Sequence, residues 1–392
     1  MGKELIPVIR FRGFNEPWDE LPFGKLVERV NETASDSSLP HVEYENILSG
    51  EGRIINEKAL YGDSRTGIKF NKGDVLFGKL RPYLHNDLIA SFLGVAVGDF
   101  WVLRSSQCIP GFLYSLINSP HYQYIANISS GSKMPRSDWS LVSSEKFAIP
   151  VKNEQDKIGQ FFYDTAKTIE YKQKELEKLE NMKKACMEKM FPREGETTPQ
   201  LRFNGFSDPW REVRFSDIYQ RSIIKNDLSF GTDKIISVAN MYFVPKSYVK
   251  DLDYMRTYNV MKLGDIAFEG NRSKNFAHGR FVENTIGDGI VSHVFVVFTR
   301  IDSEYDLYFW KYLINYEPIM GPKLVNCTKS STMMTDLVAE DFLKESILVP
   351  SLAEQEKIGN YFRHMDELIA AKRLEIEKLQ NIKQSLLDKM FV

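Results

Sequence analysis

The chain has 392 residues, 43% of them hydrophobic, 27% charged and 12% aromatic, the balance of a folded protein of two or three domains rather than a disordered or collagen-like one. Lysine and arginine total 51 against 53 acidic residues, a formal charge of −2, so any nucleic-acid contact must rest on local basic patches. Three widely spaced cysteines, Cys108, Cys186 and Cys327, offer neither a disulfide framework nor a CxxC metal site; with no apolar run of membrane-spanning length and charges near the N-terminus, the expected location is the cytoplasm.

The chain opens on one arm of an internal repeat. Residues 7–26 (PVIRFRGFNEPWDELPFGKL) and 199–218 (PQLRFNGFSDPWREVRFSDI) share 9 of 20 residues; residues 150–191 and 350–391 share 18 of 42, and both end in KMF. In between the likeness thins to GDVLFGKLR (73–81) against GDIAFEGNR (264–272) and LIN at 116–118 and 313–315. Two copies of one fold with divergent middles can be related by an approximate two-fold axis, and the antiparallel strands of DNA offer matching symmetry. The middles would then read different sequences.

The middle regions, 33–149 and 222–349, mix short β-rich runs with one helical stretch each. Residues 94–103 and 288–298, rich in Val and aromatics, are predicted strands, and 112–118 and 305–316 predicted helices, giving an α+β globule in each half. After a predicted strand, loop 78–86 (GKLRPYLHN) groups Lys79, Arg81, Tyr83 and His85; loop 270–278 (GNRSKNFAH) groups Asn271, Arg272, Lys274 and Asn275 in the corresponding place. Arginine bonds guanine bidentately, asparagine bonds adenine, and lysine holds phosphate, so these are candidate DNA contacts, with an ordinary solvated turn as the alternative. A second loop follows each helix: 129–139 (SSGSKMPRSDW), with Lys133 and Arg136, and 327–335 (CTKSSTMMT), with Lys329, Ser330 and Thr332. Small polar residues there let the backbone approach phosphate.

Each half closes on a 3.5-residue period. The seam runs through Ile158, Phe162, Ile169, Leu176 and Leu179 in the first copy and Ile358, Phe362, Ile369, Ile376 and Leu379 in the second. Neither segment has Gly or Pro after Gly159 and Gly359, so each is predicted as one helix on the order of 60 Å long. The matched registers favour packing of the two helices on each other over packing of each on its own domain. Lys172, Lys372, Lys183 and Lys383 fall on the seam, where they set alignment or snorkel.

Signals for chemistry fail one by one. GDVLFGKL (73–80) fits GxxxxGK but has Leu80 where a P-loop needs Ser or Thr, and Val75, Leu76 and Phe77 read as a strand. The six histidines show no metal-site spacing, and GxSxG, GxGxxG and the (N/D)PP(Y/F) tetrapeptide of amino-methyltransferases are absent. DPW at 208–210 is matched by EPW at 16–18 and is expected to serve packing.

Together, RFRGF-EPW and RFNGF-DPW opening each half, GDVLF and GDIAF in the middles, and EQDKIGQFF and EQEKIGNYF beginning two helices that end in KMF resemble the specificity (S) subunit of type I restriction-modification systems, the HsdS family, over essentially the full length. The resemblance implies two target recognition domains, 1–150 and 193–350, separated by two long antiparallel coiled-coil helices, 151–192 and 351–392. Each domain would read one half of a bipartite, asymmetric site in double-stranded DNA. The helices would set the spacer and dock two modification (M) subunits, which bind S-adenosylmethionine and methylate adenine; restriction (R) subunits would join that core. No catalytic residue, metal or cofactor is then expected on this chain, with S-adenosylmethionine, ATP and Mg on the partners. No short tandem repeats of the kind some relatives carry are seen around 182–199. The competing readings are a self-sufficient DNA adenine methyltransferase or nuclease, and a coiled-coil scaffold that never touches DNA.

Overall fold

The structure, a computed structural model, describes residues 5–128, 133–245, 253–330 and 334–392. The architecture is α+β, and the chain divides into two compact units: residues 1–175 with 372–392, and residues 176–371.

In the first unit the principal strands are β1 (Asp19–Pro22), β2 (Glu28–Val30), β3 (Gly67–Phe70), β4 (Val75–Gly78), β5 (Leu88–Ile89), β6 (Gly94–Ala96) and β7 (Phe100–Arg104). Helices α1 (Pro110–Ile117), α2 (Pro120–Ala126) and α3 (Trp139–Ser144) follow, then β8 (Lys146–Ile149) and the 39-residue α4 (Lys152–Met190). The central antiparallel sheet has the order β2-β7-β4-β5, and β1 pairs antiparallel with β8 so that the opening segment closes against the domain's exit. Phe77, Trp101, Phe112, Tyr122 and Phe147 fill its core.

The second unit repeats the plan with β9 (Arg211–Arg214), β10 (Tyr219–Arg221), β11 (Asn259–Met261), β12 (Ile266–Glu269), β13 (Arg280–Glu283), β14 (Gly289–Val291) and β15 (Val296–Arg300). After them come α5 (Leu307–Ile314), α6 (Glu317–Cys327), β16 (Thr328–Ser330), β17 (Thr335–Leu337), α7 (Ala339–Lys344), β18 (Ser346–Val349) and the 39-residue α8 (Leu352–Met390). Its sheet order, β10-β15-β12-β13, matches the first, and β9 pairs with β18 as β1 does with β8.

The repeated letters now have physical roles. Arg10 donates two bonds to Glu154 (2.7 and 2.8 Å), and Arg202 does the same to Glu354 (2.8 and 2.6 Å); both carboxylates are buried. The RF-GF arginine is thus the counter-ion of the glutamate in EQ-KIG, a charge that burial would otherwise penalise heavily. The neighbouring glutamines join the start of each long helix to the domain: Gln155 accepts from the Ile109 N–H and donates to the Pro150 carbonyl, and Gln355 accepts from the Asp306 N–H and donates to the Pro350 carbonyl. Gly159 is required by close approach, because a Cβ there would lie 2.8 Å from the Phe112 nitrogen; at Gly359 it would lie 2.0 Å from Asp306 Oδ1. Trp18 and Trp210 are each only 3% exposed, so the EPW and DPW motifs do serve packing.

Within each unit the two long helices run antiparallel. In the first, Lys172 pairs with Glu375 (2.5 Å) and Lys372 with Glu175 (2.9 Å), while Phe391 lies against Trp18 and Phe162. In the second, Lys183 pairs with Asp366 (2.5 Å), and Phe191 stacks on Phe309 and Phe362. Each KMF end therefore lies beside one unit's opening tryptophan. Seam positions Ile158, Phe162, Ile169, Ile358, Phe362, Ile369 and Ile376 are buried, while Leu176, Leu179 and Leu379 are half-buried. Lys372, like Lys172 and Lys183, holds its charge in an ion pair; Lys383 is half-buried, and desolvation holds its pKa below the ordinary lysine value.

Several expectations are corrected. Residues 94–103 form two strands in different sheets, because the backbone turns at Gly98 with φ +101°, and 288–298 likewise splits into β14 and β15. Among the described residues each middle region holds three α-helices rather than one. The predicted loop 327–335 is in part a hairpin, β16 pairing with β17. The end of the predicted loop 129–139 starts α3, which Asp138 caps by accepting from the Ser140 N–H.

Candidate nucleic-acid interface

The two loops that the sequence places far apart in each half meet in the fold. In the first unit the β4–β5 hairpin carries residues 79–87 at its tip, and Leu80 forms an antiparallel bridge with Arg136. The Arg81 N–H donates to the Pro135 carbonyl (2.8 Å) and the Ser137 N–H to the Lys79 carbonyl (2.9 Å). In the second unit the β12–β13 hairpin carries 270–279, and Asn271 forms the corresponding bridge with Met334, supported by the Thr335 N–H donating to the Gly270 carbonyl (2.8 Å). Gly270 has no room for a side chain, since a Cβ would lie 2.3 Å from the Thr335 oxygen.

In the first tip the bridge brings Lys79 and Arg136 together, with Arg81 tied by its backbone to the residue before Arg136. Arg81 has φ +50° and starts the short turn Pro82–Leu84 that presents Tyr83, which is 54% exposed; Lys133 and Arg136 are exposed as well. His85 is not among these exposed residues: its ring is half-buried, bonded to Asn118 and 4.0 Å from the buried Asp87, and desolvation lowers its pKa. Burial also pushes the Asp87 carboxyl up to about 7, against the single bond it accepts from the Gly78 N–H.

Sequence reasoning missed two residues here. Asp99, just before β7, takes Arg136 at 3.0 Å and Lys79 at 3.5 Å; burial raises its pKa, but the Arg136 and Lys79 cations outweigh that and leave it lowered. Tyr44 accepts from the Leu80 N–H (3.1 Å) and donates to the Asp99 carbonyl (2.6 Å), joining the tip to the sheet. The one available signal for Asp99 was the Gly98 turn inside an otherwise β-rich run.

In the second tip, residues 273–276 close a tight turn through reciprocal backbone bonds between Ser273 and Phe276 (3.0 and 3.2 Å), which places Lys274 and Asn275 at its apex. Asn271, Arg272, Lys274, Asn275 and Lys329 are exposed. Arg280, paired with Glu269 at 2.7 Å and lying 5.1 Å from the Phe276 ring centroid, holds the turn from below. Ser330 ends β16, whereas Thr332 lies outside the described residues.

Exposed arginine, lysine and asparagine on rigid hairpin tips can bond phosphates and base edges. Among the described residues no group of three His, Cys, Asp or Glu could hold a metal ion, and no helix is long and apolar enough to cross a membrane.

No protein-family model matches the chain. It is 21% identical over 290 residues to the type I restriction enzyme MjaVIII specificity subunit of Methanocaldococcus jannaschii, covering 68% of this chain and 65% of that one. It is 24% identical over 194 residues to the EcoDI specificity subunit of Escherichia coli, covering 47% and 43%. The matches thus span less than two thirds of the length of either curated relative. Among solved structures, the chain is similar to the type I restriction-modification S subunit from M. genitalium (TM-score 0.58, 13% identity, 99% of each chain). It is also similar to a chain from a structure describing assembly and conformational transition of a type I R-M system (TM-score 0.56, 17% identity, 95% of this chain and 97% of that one). These two likenesses establish a shared fold.

Proposed function

We propose that this chain, which has the fold and the sequence likeness of the HsdS family of type I restriction-modification specificity subunits, is a non-catalytic DNA reader. Each unit recognises one half of a bipartite, asymmetric site through its hairpin tip and the strand bridged to it. Helices α4 and α8 set the spacer and dock two M subunits, with R subunits joining that core; S-adenosylmethionine, ATP and Mg belong to those partners.

The observation that carries this reading is the pair of equivalent tips. Both units build the same bridged hairpin on the same sheet order, yet mount different polar side chains on it. A scaffold that never touches DNA has no need for that combination. Phosphate contacts position a protein on DNA and base contacts specify the site, so the shared frame suits the first task and the divergent side chains the second.

The test is purified full-length chain with plasmid DNA and labelled S-adenosylmethionine, alone and with a type I M subunit. The reading expects incorporation into adenine only when both proteins are present, at a two-part site with unread bases between. Incorporation by this chain alone would establish the enzyme reading instead.

A further inference from the structure

The two tips can be aligned residue by residue. GDVLF and GDIAF place Phe77 and Phe268 in equivalent positions; Trp101 lies opposite the first and Val296 opposite the second in the neighbouring strand. Two residues earlier in those strands come Asp99 and Val294. Likewise Leu80 bridges Arg136 where Asn271 bridges Met334. The Asp99–Arg136 ion pair of the first tip is therefore replaced by Val294 and Met334 in the second, which are 58% and 36% exposed.

Neither pair is needed to build its tip. The first is already fixed by backbone bonds at Lys79, Arg81 and Ser137 and by the Tyr44 hydroxyl, and a solvent-facing ion pair adds little stability. The second keeps the same bridge with no charge at either position. What differs is the chemistry offered outward. In the major groove a G·C pair presents two acceptors on guanine beside the cytosine N4 donor, whereas an A·T pair ends in the thymine methyl group. Arg136 bonds the Asp99 carboxylate through Nε and Nη2 (3.0 Å for Nη2), and the other edge of its guanidinium, Nη1 with the second Nη2 hydrogen, supplies donors next to that acceptor. That matches the spacing of the guanine O6 and cytosine N4 atoms, themselves joined by a hydrogen bond of about 2.9 Å. Val294 and Met334 offer an apolar contact for the thymine methyl, with Asn271 opposite Met334 suited to adenine N6 and N7.

We propose that these equivalent positions decide one base pair in each half-site: G·C through Arg136 and Asp99 in the half read by the first unit, and A·T through Val294, Met334 and Asn271 in the half read by the second. The assignment rests on the DNA-reading function and adds the specificity-determining residues. It makes the asymmetry of the site a property of one polar-for-apolar exchange on a common frame.

The experiment is enrichment of a randomised duplex library by the full chain in complex with a type I M subunit, followed by sequencing. Three proteins are compared: the parent, Asp99→Val with Arg136→Met, and the reciprocal Val294→Asp with Met334→Arg. The parent is expected to enrich a two-part site with a G·C pair in one half that the first variant relaxes by about 5- to 150-fold, leaving the other half unchanged. The reciprocal variant is expected to shift an A·T pair in the other half toward G·C; since it alters the other unit, it decides the matter if the first variant fails to fold. A parent site whose bases are unchanged in both variants overturns this assignment while leaving the DNA-reading function intact. Enrichment of no sequence by the parent overturns both.

Discussion

Arg10→Met should destabilise the first unit out of proportion to the size of the change. Glu154 is fully buried and Arg10 is 11% exposed, and the two are joined by a bidentate contact. Removing the guanidinium leaves a carboxylate in the interior without its counter-charge, a loss of about 3–5 kcal/mol, against a total of roughly 5–15 kcal/mol for a domain. Replacing both residues, Arg10→Met with Glu154→Met, removes the uncompensated charge as well, and buried pairs exchanged for apolar groups of similar volume are often neutral. The double variant should therefore be more stable than the single one. Native-state hydrogen exchange is the suitable assay, because it reads the start of α4 and the β1–β8 pair separately from the second unit. The Arg202→Met change should weaken the second unit in the same way. A loss below about 1 kcal/mol for Arg10→Met, or a double variant as unstable as the single, would refute the assigned role of the repeated Arg and Glu.

Other outcomes follow from the same structure. Asp87 has a folded pKa of about 7 against 3.8 unfolded, so its contribution is fully present below about pH 4 and is lost as pH rises through 7, at up to about 1.4 kcal/mol per pH unit. The lowered His85 pKa acts in the opposite sense, adding stability as pH rises toward 6.5. Asp87→Asn should thus be more stable than the parent above pH 7, with the advantage fading toward pH 4, as measured by urea unfolding across pH. Lys383→Met should raise the melting temperature, since it removes a partly desolvated ammonium from the seam; an unchanged or lower value would contradict that desolvation. Gly159→Ala should cost about 1–3 kcal/mol by forcing a methyl group against the α1 backbone, read by thermal unfolding. Arg81→Ala should weaken discrimination in a single half-site by about 1–3 kcal/mol, read by competition binding to duplexes changed one base at a time.

The repeat was legible because packing reuses letters. Arg10 and Arg202, Trp18 and Trp210, Glu154 and Glu354 stand out as identities before any coordinate is known. Their partners were not legible: Arg10 and Glu154 are 144 residues apart, and period or propensity carries no information on which identical letters touch. The long helices were readable from a sustained 3.5-residue period, whereas the short strands were not. The run 94–103 looks uniform in composition, and its break depends on the positive φ at Gly98. The β16–β17 pair was hidden because each strand is only three residues long, too short for an alternating pattern to show. At the tips, Lys79 and Arg136 were visible as cations, but their meeting at Asp99 arises from the Leu80–Arg136 bridge. His85 looked equivalent to its neighbours in sequence, yet its ring lies half-buried 4.0 Å from the buried Asp87, a proximity that spacing along the chain does not show.

The most direct measurement is a segment exchange: residues 27–149 replaced by the corresponding part of a relative, the hybrid expressed with a type I M subunit, and methylated adenines mapped across a genome. One half-site is expected to change while the other half and the spacer length stay as they were. A change in both halves, or in neither, would contradict it.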